Sequence, residues 1–338
     1  MEKKNKLRRL EWIDLVKGIA IGLVVIGHML RGFVSSGMYS EYKNIFIYID
    51  YTIYSFHMPL FFIISGALFK NSKKLENMNQ YFLFIKKKVI LLAIPYFVFS
   101  WIQIVIKLIM SNSVNNKVNI MDFFTIIFNP IEQFWFLYSL MIIFIIMGFI
   151  DIKIKSEQIK FIIIILSFLL ANYTIIDLGI LGNAISNIIY FYIGEKIIEN
   201  KERIKINNNI IISLLALYII LNLAIYNFKF SQNILIISRF IMAVVASLTI
   251  ITICKKFQYN DKNIIYVFKI LGKHSMAIYL LHIILGSGIR IVLLKLSINS
   301  LIVQVILGLI FAIIIPILLE NIYVYLVKRY AKVKRIYY

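Results

Sequence analysis

Three ionisable side chains share one face of the first long apolar segment of the sequence. Lys17 and His28 are eleven residues apart, which on an α-helix is three turns plus about 20°, with an axial separation of about 16 Å. Asp14 lies only about 40° from His28 by the same geometry. A neutral imidazole can act as a general base or as a nucleophile, and an ammonium group binds anions. This stripe is therefore a candidate reactive surface.

Two further apolar segments carry polar side chains that could contribute to the same chemistry. His57 stands two residues before Pro59, and a proline within an apolar helix leaves a backbone carbonyl in need of a partner. Ser275, Tyr279 and His282 follow the i, i+4, i+7 spacing of a single helix face. Each set also has a structural alternative: His57 as a hydrogen-bonded packing residue, and the three-residue seam as a contact that only holds helices together.

The elements that must position these side chains are membrane-spanning helices. Hydrophobic residues make up 61% of the 338-residue chain and charged residues 16%, whereas soluble domains have about 45–50% and about 25%. Apolar runs of near twenty residues recur along the chain, and each is long enough to cross a hydrocarbon core of about 30 Å. The composition thus excludes a soluble helical core and predicts an all-α polytopic membrane protein. Asp14 and Lys17 then have the alternative role of interfacial anchors.

Ten spans are predicted from the apolar runs, in a single membrane domain that covers residues 1–338 with no appended soluble domain. They lie at about 11–31, 45–69, 89–110, 133–150, 159–177, 180–198, 209–227, 233–254, 270–294 and 300–325. The split between the fifth and sixth spans rests only on the polar residues between 172 and 183.

The distribution of positive charge predicts the orientation of these spans. The net charge is +21, which in a soluble protein would suggest a nucleic-acid partner. Here the basic residues lie between the apolar runs, so we expect the lipid bilayer as the partner and no nucleic acid. With the N-terminus inside, 28 of the 37 Lys and Arg residues fall in inner segments and six in outer ones. Both termini are therefore predicted to be cytoplasmic, and the heavy use of Ile, Asn and Lys favours a bacterial cell membrane.

Several common types of reactive site have no counterpart in the sequence. The four histidines lack ligand spacing and Cys254 is the only cysteine, so we expect neither a metal site nor a tightly bound cofactor. Gly-rich phosphate loops and nucleophile elbows are also missing from the sequence. The residues alone leave a membrane enzyme and a transporter equally open.

Five motifs in order along the chain resemble the acyltransferase-3 family of ten-helix membrane acyltransferases, and particularly its fucose-4-O-acetylase-like branch. They are Asp14-x-x-Lys17-Gly18 with His28; Phe56-His57-Met58-Pro59 through Ser65-Gly66; Lys86-Lys87-Lys88 leading to Ile94-Pro95-Tyr96; Phe134-Trp135-Phe136-Leu137; and Leu271-Gly272 with Ser275, Tyr279 and His282. Lys17 departs from the arginine that is usual in this family, and lysine lacks the bidentate fork that suits phosphate.

The resemblance implies transfer of an acyl group, usually acetyl, from cytoplasmic acyl-CoA to a hydroxyl of an envelope saccharide. It implies that His28 is the central catalytic residue, as general base or as acyl carrier. Lys17 and the triple lysine, Lys86, Lys87 and Lys88, would bind the CoA phosphates, although the triple lysine also suits a purely topological role. Site-lining residues would be Asp14, His57, Ser65, Trp135, Ser275, Tyr279 and His282.

Other classes of function stay open beside this one. A transporter or flippase for a small polar or lipid-linked solute would use intramembrane histidines and prolines for coupling and gating. A non-catalytic subunit of a polysaccharide export machine would leave the polar stripe unexplained. Whether the chain forms a homodimer also stays open.

Overall fold

The computed structural model describes residues 10–72, 75–111, 114–174, 178–200, 207–260 and 262–337, and every regular element in these ranges is helical. The helices are α1 (Glu11–Ser35), α2 (Lys43–Tyr54), α3 (His57–Asn71), α4 (Met78–Ile109), α5 (Asp122–Thr125), α6 (Trp135–Lys153), α7 (Glu157–Tyr173), α8 (Gly179–Glu199), α9 (Asn208–Asn227), α10 (Gln232–Phe257), α11 (Asn263–Lys273), α12 (Ser275–Lys295), α13 (Leu301–Leu309) and α14 (Ile315–Tyr337). Short 3-10 turns occupy Ser40–Tyr42 and Glu132–Phe134, and a π turn at Ile310–Ile314 joins α13 to α14.

Eight helical segments in the described part of the chain are long and apolar enough to cross a membrane. They are Glu11–Ser35, Ser40–Asn71, Met78–Ile109, Glu132–Lys153, Asn208–Asn227, Gln232–Phe257, Ser275–Lys295 and Leu301–Lys328. The protein is therefore an all-α, multi-pass membrane protein, as the composition predicts.

The fifth and sixth predicted spans are present as α7 and α8 but are not among these eight. α7 has only 17 residues, and α8 carries Glu195, Lys196 and Glu199 near its C-terminal end. Residues 175–177 of the predicted fifth span lie outside the described residues. Whether the chain crosses the membrane eight or ten times thus depends on the α7–α8 pair, and ten crossings stay a prediction.

Three predicted spans are interrupted, two of them near a proline. The second is divided after Tyr54, and Pro59 becomes the third residue of α3, where its missing N–H would have no helical partner in any case. The chain therefore breaks at Ser55 and Phe56 instead of kinking at mid-helix. The ninth is divided at His274. In the tenth, the π turn ends two residues before Pro316, which is a usual cause of such a distortion.

Contacts between the helices divide the chain into two compact units. One, here the middle unit, has Ser55–Lys256 as its described part; the other, the terminal unit, comprises Leu10–Tyr54 and Phe257–Tyr338. The terminal unit packs α2, α11 and α12 against α1, with α13 and α14 against α12. The middle unit packs α3, α6 and α7 around α8, and α4 against α6.

Reciprocal glycines allow backbone contact between α1 and α11 in the terminal unit. A Cβ added to Gly18 would lie 1.8 Å from the carbonyl oxygen of Phe268, and one added to Gly272 would lie 1.7 Å from that of Asp14. Neither position therefore accepts a side chain without separating the helices. Gly18 and Gly22 form a small-residue motif on α1, but only Gly18 lies against α11, since a Cβ on Gly22 would meet no atom within 4 Å.

The middle unit uses the same device between α3 and α8. A Cβ on Gly66 would lie 1.8 Å from the carbonyl oxygen of Phe191, and one on Gly194 would lie 1.9 Å from that of Ile63. Close approach of two backbones maximises van der Waals contact, which is a main source of helix association when lipid removes the hydrophobic driving force.

Gly18→Ala is expected to destabilise the terminal unit by about 1–3 kcal/mol, because the new methyl group overlaps the α11 backbone. Gly22→Ala on the same helix is the matched control and is expected to be neutral or stabilising, since it adds helix propensity in open space. The measurement is the temperature at which detergent-purified protein loses its monodisperse peak. Equal melting temperatures for the two variants would contradict the proposed contact.

The number of crossings can be tested at the end of α7. In a Cys254→Ser background, Tyr173→Cys is expected to react with a membrane-impermeant maleimide on intact cells, because ten crossings place this residue outside. Lys229→Cys, after α9, is the positive control and Lys155→Cys, before α7, the negative one; all three native side chains are exposed. If the Tyr173→Cys variant reacts only after permeabilisation, the chain crosses the membrane eight times.

Candidate active site

His28 meets Tyr54 where α2 lies against α1. Contact between the rings of Phe33 and Phe46, 6.1 Å apart at their centroids, packs the two helices together. At Gly27 a Cβ would lie only 3.0 Å from the Tyr54 ring, so the small residue lets the phenol approach the helix. As a result the hydroxyl oxygen of Tyr54 lies 3.1 Å from Nε2 of His28. This hydrogen bond fixes the imidazole relative to α2.

Tyr54 is itself held by charged residues from both helices. The guanidinium of Arg31, one turn after His28, lies 3.5 Å from the centroid of the Tyr54 ring. Arg31 also donates to a carboxylate oxygen of Asp50 at 2.9 Å. Asp50 precedes Tyr54 by one turn on α2, so the phenol is oriented by a cation over its face and by an ion pair beside it.

His282 supplies a second imidazole from α12. It is 2% exposed, and its ring centroid lies 5.1 Å from that of His28 with the planes tilted by 59°. Nδ1 of His282 is 3.0 Å from the carbonyl oxygen of Ile278 and 2.8 Å from that of Tyr279. Carbonyl oxygens only accept hydrogen bonds, so Nδ1 carries the proton.

This tautomer leaves Nε2 of His282 as a buried acceptor. Nε2 has no hydrogen-bond partner among the described residues. Buried polar atoms nearly always have a partner, and an exception points to a functional group or a bound molecule. A basic nitrogen therefore lies beside His28, and no described residue donates a hydrogen bond to it.

The other predicted residues of α12 follow its inward face. Tyr279 is buried, with its ring centroid 6.2 Å from that of His282. Ser275 is the first residue of α12 and is half-buried. The preceding His274 has Nδ1 2.8 Å from a carboxylate oxygen of Glu320 on α14, so it is tied to a different part of the terminal unit.

The N-terminal half of α1 carries Asp14 and Lys17, both half-buried. Along this part of α1 the backbone of α11 lies in direct contact with α1, because the carbonyl oxygen of Asp14 packs against Gly272. Lys269 of α11 donates to Glu11 at 2.6 Å and so ties α11 to the first turn of α1. Lys17 and His28 thus share one helix and one unit, at the separation that the sequence predicts.

The remaining predicted residues belong to the middle unit. His57 is 1% exposed and begins α3, while Ser65 donates to the carbonyl of Phe61 at 2.8 Å within the same helix. The Trp135 ring lies 6.2 Å from that of Phe62, which is packing typical of an aromatic core. These contacts give Ser65 and Trp135 a structural role within their own unit.

The triple lysine divides into two kinds of side chain. Lys86 and Lys87 are exposed on α4. Lys88 is half-buried, with its ammonium 4.4 Å from the centroid of the Phe144 ring and 5.5 Å from that of Phe84. Only the first two are therefore presented freely to a soluble anion.

Sequence reasoning missed Tyr54, which contacts His28, and Arg31, which contacts Tyr54. Tyr54 is 26 residues from His28 along the chain, and no motif spacing links the two. The only signal was position: Arg31 follows His28 by three residues, at the end of the first predicted span.

Comparison with known proteins gives one match. The sequence profile of a family described as an acyltransferase domain, the acyltransferase-3 family, matches residues 10–321 and so extends over both units. No curated protein sequence matches the chain significantly. No solved structure matches it significantly either.

Proposed function

We propose that this chain, which belongs to the acyltransferase-3 family, transfers an acetyl group from cytoplasmic acyl-CoA to a hydroxyl of a cell-envelope saccharide. Family membership makes it a membrane acyltransferase. The donor, the acceptor, the bacterial cell membrane as its location and a fucose-4-O-acetylase-like specificity are inferences that go beyond this. The observation that carries the proposal is the unpaired Nε2 of His282 beside His28.

His28 is proposed as the general base. If its Nε2–H donates to the phenolic oxygen of Tyr54, Nδ1 carries the lone pair that accepts the proton of the acceptor hydroxyl. The acceptor oxygen attacks the thioester carbonyl carbon, the carbon–sulfur bond breaks, and the proton leaves with the CoA thiolate. The products are the acetyl ester and free CoA. Tyr54 fixes the orientation of the imidazole, as the third member of a triad does.

His282 is proposed to stabilise the charge that develops on His28. Proton transfer turns the His28 imidazole into an imidazolium, and the unpaired Nε2 of His282 is a neutral acceptor in ring contact with it. Water is largely excluded from this place, since His282 is 2% exposed. An electrostatic interaction is therefore screened less here than at the protein surface.

The donor is proposed to bind from the cytoplasmic side. Lys86 and Lys87 are exposed cations that would attract the nucleotide phosphates of CoA. Lys17, on the same face of α1 as His28, would contact the donor closer to the thioester. Asp14, Ser275 and Tyr279 are retained as lining residues of the terminal unit, and His57 as one of the middle unit.

His28→Ala is expected to lower acetyl transfer from radiolabelled acetyl-CoA by at least about a hundredfold, because it removes the base. Membrane insertion and melting temperature are expected to be unchanged. His274→Gln is the matched control: it alters a histidine of the same unit that is bound to Glu320 instead. A His28→Ala variant with wild-type acetyl transfer would contradict the mechanism.

His282→Asn separates the structural and the chemical role of the second imidazole. The asparagine amide can still donate to the carbonyls that hold Nδ1, but it has no group in the place of Nε2. We expect a stable protein whose kcat falls about tenfold or more while KM for acetyl-CoA changes little. A variant with wild-type kcat would remove His282 from the mechanism.

A further inference from the structure

Arg290 on α12 is a half-buried cation within a membrane-spanning helix. It forms no ion pair or hydrogen bond with any residue that the structure describes. A Cβ added to Gly32 of α1 would lie 1.8 Å from its Nη1 and 3.0 Å from its Cζ. The guanidinium therefore occupies the space that the absence of a side chain at Gly32 leaves open.

This guanidinium lies one helical turn from the candidate base. Gly32 follows His28 by four residues, and residues at this spacing are neighbours on one helix face, with about 5–6 Å between Cβ positions. On α12, Arg290 follows His282 by eight residues, about 12 Å along the axis. α1 and α12 thus bring the imidazoles of His28 and His282 together, and the guanidinium of Arg290 lies about one helical turn closer to the C-terminal end of α1.

The two arginines of this region differ in how their charge is balanced. Arg31 is exposed and paired with Asp50 at 2.9 Å. Arg290 is more buried and has no acidic partner among the described residues, although a cation in a membrane span is costly without one. A counter-ion from outside the polypeptide would remove this imbalance.

We propose that Arg290 binds an oxyanion of the acceptor, a phosphate or a carboxylate, and that the acceptor is therefore an acidic saccharide. The planar guanidinium can form two parallel hydrogen bonds to either group, which fixes orientation as well as charge. Binding at this level would direct a neighbouring hydroxyl toward His28. This inference rests on the proposed function, since it concerns the acceptor of the same reaction.

The charge of the product tests the inference first. Membranes that contain the wild-type protein or the His28→Ala variant are incubated with radiolabelled acetyl-CoA, and the His28-dependent product is applied to an anion-exchange resin at pH 7. We expect retention on the resin. Retention that is lost at pH 2 identifies a carboxylate and retention that persists identifies a phosphate. Partition into butanol separates a lipid-linked acceptor from a water-soluble one.

The arginine is then tested on the same acceptor, regenerated from the product by mild alkaline deacetylation. Arg290→Gln is expected to raise KM for the acceptor at least about tenfold, with KM for acetyl-CoA and the melting temperature unchanged. Arg290→Lys is expected to be intermediate because it keeps the charge without the fork. Lys295→Gln, an exposed cation near the end of the same helix, is the control and should behave as wild type.

Two results would overturn the inference while leaving the proposed function intact: a neutral product, or an Arg290→Gln variant with an unchanged KM for the acceptor. The second result would make Arg290 an anchor for lipid phosphates. A lack of any His28-dependent labelled product would contradict the proposed function itself, and the inference would fall with it.

Discussion

The backbone contact between α1 and α11 is the constraint on which the rest of the terminal unit depends. Gly18 and Gly272 each lie against a carbonyl of the other helix, so the axial and rotational position of α1 is fixed to within the size of a methyl group. α12 follows α11 after a single residue, His274. The register set at Gly18 and Gly272 therefore determines where His28 faces His282, about three turns further along α1.

The same constraint explains how a costly arrangement can persist. An unpaired imidazole nitrogen and an uncompensated guanidinium both disfavour burial, and α1 and α12 alone would separate or rotate to relieve them. The glycine contacts hold α11, which leads directly into α12, against α1, and the Phe33–Phe46 contact holds α2 against α1. Stability elsewhere in the unit thus maintains the polar site that we propose to be catalytic.

The sequence predicted what depends on periodicity and composition. The helical class, the approximate spans and the shared face of Lys17 and His28 all follow from the 3.6-residue repeat and from hydropathy. The pairing of helices does not follow, because it depends on residues far apart in sequence. The approach of Gly18 to Gly272 and the hydrogen bond between Tyr54 and His28 are examples. The sequence identifies Arg290 only as one of the positive charges of the predicted outer segments. Its position beside α1 depends on the absence of a side chain at Gly32.

The central claim is that His28 and His282 act as one unit, and a double-mutant cycle on acetyl transfer tests it most directly. Turnover is measured with radiolabelled acetyl-CoA, so that small residual rates are detectable, for His28→Ala, His282→Asn and the double variant. If His282 acts through the imidazolium of His28, the double variant is no slower than His28→Ala alone. Losses that multiply in the double variant would show that the two imidazoles act independently and would contradict the account.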